Sequence, residues 1–258
     1  MKSMSITRIN KLTRTVLLLG AVLMVPSAGW AVSFNEVQTA TDDAGAADHA
    51  LPAQNLATGS LNVACFKWEG AFTLTSITDV ASNTYTLLTN QSHSGGEPHV
   101  RCGYVLSATG NASNVVTGHF SGSAPYVRGV VYEFTYSGTA AFDVEVGSAE
   151  NDALTTNSTN ALTTTGTEEV CIAAQADYTG QTYSNHLING VADDGTDVSL
   201  SDMTTWYKIF AATFSSGVST VTKTATQRWV QRLSCFKITA GGGGGATLRN
   251  MMLMGVGQ

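Results

Sequence analysis

Charge is scarce in this sequence: Asp, Glu, Lys and Arg make up 12% of its 258 residues, about half the share of an average soluble domain. Positive charge is scarcer still. Of thirteen Lys and Arg, four fall within residues 1–31, so nine cations face nineteen acids in the remainder, a formal charge of −10. Those nine are scattered singly from Lys67 to Arg249. That excludes the concentrated basic surface a phosphate backbone requires, and with it a nucleic-acid partner. Proline occurs four times and no Pro- or Ser-rich stretch divides the middle, so a linker between two autonomous domains has no obvious place to fall. There is no Cys-x-x-Cys pair, no helical His-Glu-x-x-His and no Gly-x-Ser-x-Gly elbow. The usual signatures of a cysteine-bound zinc, a zinc protease and a serine hydrolase are therefore missing.

Long apolar runs are missing too. The longest near the N-terminus, 16–25, is ten residues, roughly half of the ~20 needed to span a bilayer. It follows Lys2, Arg8, Lys11 and Arg14 and leads through small residues to Ala31, the layout of a cleaved secretion signal. The expectation is an exported protein, secreted or held at the cell surface or in the periplasm, with no transmembrane segment once 1–31 is removed. Four cysteines, Cys65, Cys102, Cys171 and Cys235, lie beyond the signal. An even number in an oxidising compartment permits two disulfides, with three connectivities open, although isolated buried thiols would fit as well.

What is abundant is strand grammar. Short runs rich in Val, Thr, Tyr, Phe and Trp recur between Gly, Asn, Ser and Asp clusters: 61–68, 74–78, 84–88, 100–106, 115–120 and 126–134, then 170–178, 206–214, 218–223 and 229–238. No stretch beyond the signal carries a helical period, so the fold class is all-β, an antiparallel β-sandwich. Segment 104–134 and segment 207–236 repeat the same order of Tyr, Ala, turn, Val/Thr, turn, aromatic-Val and Phe. The sequence predicts one domain over 32–240 made of two related halves, about 34–150 and 151–240, packed face to face. Residues 155–167, with seven threonines, read as an exposed connection, and 241–258 as a flexible Gly-rich tail ending in a Met-rich patch.

The runs "LNVACFKWEG" (61–70), "SNTY" (82–85), "VYEF" (131–134) and the strand 229–237 ending in "CFK" resemble a family of uncharacterised exported bacterial and phage-associated β-sandwich modules. The resemblance covers about 34–240 and implies a jelly-roll-like or immunoglobulin-like sandwich on an extracellular or particle surface. It implies no catalytic residue.

Three groups of residues carry chemistry. His93, Glu97 and His99, in "HSGGEPH", have metal-ligand types at close spacing on a loop with two glycines. Asp193, Asp194 and Asp197, in "DDGTD", offer oxygen ligands, for which calcium is the fitting cofactor. Tyr178, Tyr183 and Trp206 stand near loops where a flat ring can stack on a sugar. For each, the plainer reading is a solvated turn or a core aromatic. The function expected is a non-enzymatic exported binding or structural module, with glycans or surface proteins as partners. A carbohydrate-binding module is the first alternative, and a secreted hydrolase using Glu69, Glu133 or the His93 loop is the second. Oligomeric state is not readable from the sequence.

Overall fold

The computed structural model describes residues 32–148, 152–195 and 197–241; the expected signal (1–31) and all but the first residue of the Gly-rich tail lie outside them. Every regular element among the described residues is a strand. The earlier strands are β1 (Val32–Asp42), β2 (Ala46–Ala50), β3 (Gln54–Leu56), β4 (Leu61–Trp68), β5 (Leu74–Asp79), β6 (Thr86–Leu87), β7 (Gln91–Ser92), β8 (His99–Val105), β9 (Asn111–Asn114), β10 (Val116–Ala124) and β11 (Val127–Tyr136). The later ones are β12 (Gly138–Gly147), β13 (Thr156–Ser158), β14 (Glu169–Asp177), β15 (Tyr183–Ile188), β16 (Val191–Ala192), β17 (Val198–Leu200), β18 (Met203–Phe210), β19 (Ser219–Lys223) and β20 (Trp229–Ala240).

Strand order repeats. The sheet β1-β11-β4-β8-β6, with β7 also on β8, is matched by β12-β20-β14-β18-β17; the smaller sheet β2-β10-β5 is matched by β13-β19-β15-β16. In both halves the first strand lies beside the last and the chain crosses repeatedly between two antiparallel sheets, which is jelly-roll winding. Segments 104–134 and 207–236 occupy corresponding strands.

The layering is richer than two halves forming one sandwich. Side chains alternate along β4: Leu61, Val63 and Cys65 join a central core, while Ala64, Phe66 and Trp68 join an outer core with β5 and β10. On β14, Val170, Ile172 and Ala174 face the central core, whereas Cys171 and Ala173 face an outer core with β15 and β19. Each half is thus already a sandwich, and the two large sheets pack on one another in the middle. Strands apolar on both faces demand this, because each face needs its own cover. Tyr207 anchors the central seam among Phe34, Tyr132 and Phe134, with ring centroids 5.2, 5.8 and 5.0 Å away.

The seam falls at Ser137, because β12 pairs with β20 and not with an earlier strand. Segment 155–167 is exposed along part of its length but is not a mere link. It contains β13 on β19, and Asn157, Thr159 and Thr164 are buried. The cysteines all pair, Cys65 with Cys102 and Cys171 with Cys235, each joining directly opposed residues of neighbouring strands. The first bridge lies in the central core and the second in an outer one.

Two acids meet where β12 bulges at Asp143, between Phe142 and Val144. Burial works against ionised Asp143, but hydrogen bonds from Thr165, Glu169 and Lys237 hold it below the usual carboxylate range. Burial, aided by its Asp143 neighbour, instead raises Glu169 from 4.5 to about 7. The folded protein therefore keeps a proton that the unfolded chain loses near 4.5, so this contribution to stability is full below that pH and is lost as pH rises through about 7. Glu169→Gln, which mimics the protonated acid, should narrow the fall in urea midpoint between pH 5 and pH 8. An unchanged pH profile in that variant would remove Glu169 as the cause.

Candidate ligand-binding cleft

The central core ends in charge. Continuing Leu61, Val63 and Cys65 along the same face of β4 comes Lys67, and continuing Phe134, Tyr132 and Val130 along β11 comes Arg128. The register sets these two cations directly opposite each other, a destabilising pairing unless anions intervene. Asp202, from the turn between β17 and β18 of the other half, intervenes. Its Oδ2 lies 2.6 Å from Lys67 Nζ and its Oδ1 2.7 Å from Arg128 Nε. Glu69 adds a 2.8 Å contact to Lys67, and Asp43 a 2.6 Å contact to Arg128. A second ion pair, Asp177 with Lys223 at 2.8 Å, is fully buried beneath β14 and accepts the Tyr183 hydroxyl at 2.9 Å.

Over this clasp opens a cleft of about 450 Å³ lined by Asp43, Glu69, Tyr126, Arg128, Tyr178, Thr179, Gly180, Ser201 and Asp202. Every lining residue lies at or just beyond a strand end, and both halves contribute. Tyr126 and Tyr178 are the only exposed aromatic side chains among the described residues, at 47% and 43%. Each carries a cation over its ring, Lys67 Nζ and Arg228 Cζ, both 5.8 Å from the centroid. Tyr126 holds a left-handed φ of 52°, uncommon for a bulky residue and characteristic of positions whose side chain must be aimed. At Gly180 a Cβ would come within 2.8 Å of Ser201 Oγ, so glycine keeps the cleft wall thin. Chemically the cleft offers two flat apolar faces above a floor of charged donors and acceptors already in register.

The residues singled out from sequence divide. Tyr178 is on the cleft, but Tyr183 is buried at 8% and Trp206 at 0%; both pack in the outer core, where neither presents a face to a ligand. Tyr126 takes the place expected of them, and the Pro125-Tyr126 turn before a strand was the signal for it. His93, Glu97 and His99 do not converge. His93 Nε2 lies 3.1 Å from the Asp152 carboxylate, and its Nδ1 accepts the Gly95 amide at 2.8 Å. Glu97 accepts the Gly70 amide at 2.7 Å, and His99 stacks on Trp68 at 5.2 Å with Nδ1 2.7 Å from Ser92 Oγ. Burial lowers the pKa of His99.

Glu133 is fully buried and accepts the Ala57 amide at 2.6 Å and the Asn35 side chain, so it ties backbone together and meets no solvent. Of the acidic loop, Asp194 turns away to Lys208 and the Ile209 amide, while Asp193 and Asp197 stay together beside His186. From sequence His186 reads, like His119, as a histidine near Ser and Asp only because those residues are everywhere, though "HLINGVAD" (186–193) carried the signal that ties it to the acidic loop. An Asn-Gly pair makes a two-residue hairpin, which sets residue 186 opposite residue 193. Compared with family models, curated proteins and solved structures, the chain matches none.

Proposed function

We propose that the protein is a non-enzymatic binding module of an exported surface or extracellular protein, and that it takes carbohydrate in the cleft between its two halves. One observation carries the reading: the two exposed aromatic rings among the described residues flank the same cleft. Tyrosines spend little entropy on contact and place a flat apolar face beside a hydroxyl. Below them Arg128, Glu69, Asp202 and Ser201 offer the mixture of donors and acceptors that sugar hydroxyls need. The near balance of charge in the clasp suits a neutral ligand better than a polyanion. Complete pairing of four cysteines supports the exported setting, as does the basic-then-apolar layout of 1–31.

The test is retention on a glycan array and on insoluble polysaccharides, followed by titration of the best ligand. Tyr126→Ala and Tyr178→Ala should each weaken that ligand at least tenfold, about 1.4 kcal/mol, without moving the urea midpoint, because both rings are exposed. Retention on no glycan at all would sink the carbohydrate reading. Binding insensitive to both tyrosines would place the ligand elsewhere on the molecule.

A further inference from the structure

We infer that His186, Asp193 and Asp197 form a binding site for one zinc-class divalent transition-metal ion. The site is independent of the cleft and is built by local rules. Asn189 and Gly190 have φ of 52° and 72°, the two left-handed positions of a type I′ turn. Ile188 pairs with Val191 and Leu187 with Ala192, so the next pair outward is His186 and Asp193, whose amide donates to the His186 carbonyl at 3.2 Å. On its other side β15 slips register against β19 between Ser184 and Leu187, with Asn185 at φ 53°. This bulge re-aims the histidine. The ring sits 5.0 Å from that of Trp206, and the side chain is 5% exposed. Asp197 Oδ2 lies 3.4 Å and Asp193 Oδ2 3.8 Å from His186 Nδ1. One donor atom from each of the three lies within 4.8 Å of the others.

The donor set fits a metal in three respects. First, the second ring nitrogen is engaged: Nε2 lies 3.0 Å from Thr204 Oγ1, which is itself 3.2 Å from Ser199 Oγ. That is the outer contact by which proteins orient a ligating imidazole. Second, the cluster lacks a counter-charge. Among the described residues no lysine or arginine pairs with Asp193 or Asp197, and nearby Lys208 is taken by Asp194. The imidazole therefore faces two carboxylates with no cation among them. Third, the spacing suits a small ion. Tetrahedral zinc with bonds of about 2.0–2.2 Å sets its donors roughly 3.3–3.6 Å apart, within a few tenths of an ångström of the two distances to Nδ1.

The imidazole also decides between ions. Calcium and magnesium take oxygen ligands, whereas imidazole suits zinc, copper, nickel and iron. Replacing Asp194 by His186 in the ligand set therefore changes the chemistry expected of the acidic loop from calcium to zinc. Three protein donors leave a fourth position for water or an incoming donor.

The untagged full chain, stripped with EDTA and dialysed against equimolar ZnCl2 in a large excess of CaCl2, should retain one zinc per chain by mass spectrometry. Cobalt loaded in the same way should give the visible absorption of a four-coordinate site. Asp197 is 43% exposed at its side chain, so Asp197→Asn should keep the fold and bind zinc at least tenfold more weakly. His186→Ala, with its near-UV circular dichroism compared to the parent, should abolish retention. Substoichiometric zinc, retention unchanged in Asp197→Asn, or calcium held in place of zinc would each overturn the assignment. So would loss of zinc in His93→Ala with His186 intact.

Discussion

Replacing Asp202 by alanine will lower the free energy of unfolding by about 3–5 kcal/mol. The magnitude comes from the two buried cations that stay behind rather than from the ion pairs removed. Lys67 has no exposed side-chain surface and Arg128 has 7%; the strand register holds them opposite each other whatever happens at position 202. Without the carboxylate, Glu69 still meets Lys67 and Asp43 still meets Arg128, but the oxygens that bridged the two cations are gone. Asp202→Asn keeps an acceptor and should cost less. Because Asp202 is the one member of the clasp that comes from the second half, its removal should also loosen the seam, seen as faster amide exchange in the central strands β4 and β14. A destabilisation below about 1 kcal/mol in urea unfolding would show that water already screens the clasp.

Removing either disulfide will cost about 4 kcal/mol. The bridges close loops of 37 and 64 residues, and in the chain-entropy account a cross-link of that span withholds about this much freedom from the unfolded chain. Paired Cys65→Ala with Cys102→Ala and paired Cys171→Ala with Cys235→Ala, compared by urea unfolding, should each shift the midpoint down, the second pair slightly more. Equal midpoints with and without reductant in the parent protein would contradict this. The two bridges are not equivalent under the internal repeat: one joins β4 to β8, the other β14 to β20. Sequence order could not distinguish those connectivities, since three were open and each satisfied the count.

Most strands with strong β-branched and aromatic content were legible to within a residue or two, although the run 206–214 is displaced along the chain from β18 and 115–120 stops short of the end of β10. The run 61–68 is β4, 170–178 is nearly β14, and 229–238 opens β20. Among the strands that went unread, three share a reason. β1, β12 and β13 are poor in large apolar residues, and their place is fixed by pairing with β11, β20 and β19 rather than by their own burial. The threonines of 155–167 read as solvent-exposed, yet hydroxyls such as Thr159, which accepts the Ser219 amide at 3.0 Å, satisfy backbone groups inside the outer layer. The cleft was half legible. Tyr178 stood at a strand end, but exposure separates it from Tyr183 only after a sheet has closed over the latter. The clasp was invisible, because Lys67, Arg128 and Asp202 are isolated charges in sequence and become a unit only when two sheets meet.

The pairing of first strands with last gives the molecule a direction. Val32 lies opposite Tyr136, and Gly138 opposite Ala240, so both ends of the described chain and the crossing between halves gather at one pole. Asp43, Glu69, Tyr126 and Tyr178 lie past the far ends of the same strands. An eleven-residue strand such as β1 spans roughly 35 Å. Anything joined through Val32 or Gly241, whether a membrane, a particle or a neighbouring domain, would hold the protein by its foot and leave the tyrosines pointing away from it, at the full height of the sandwich.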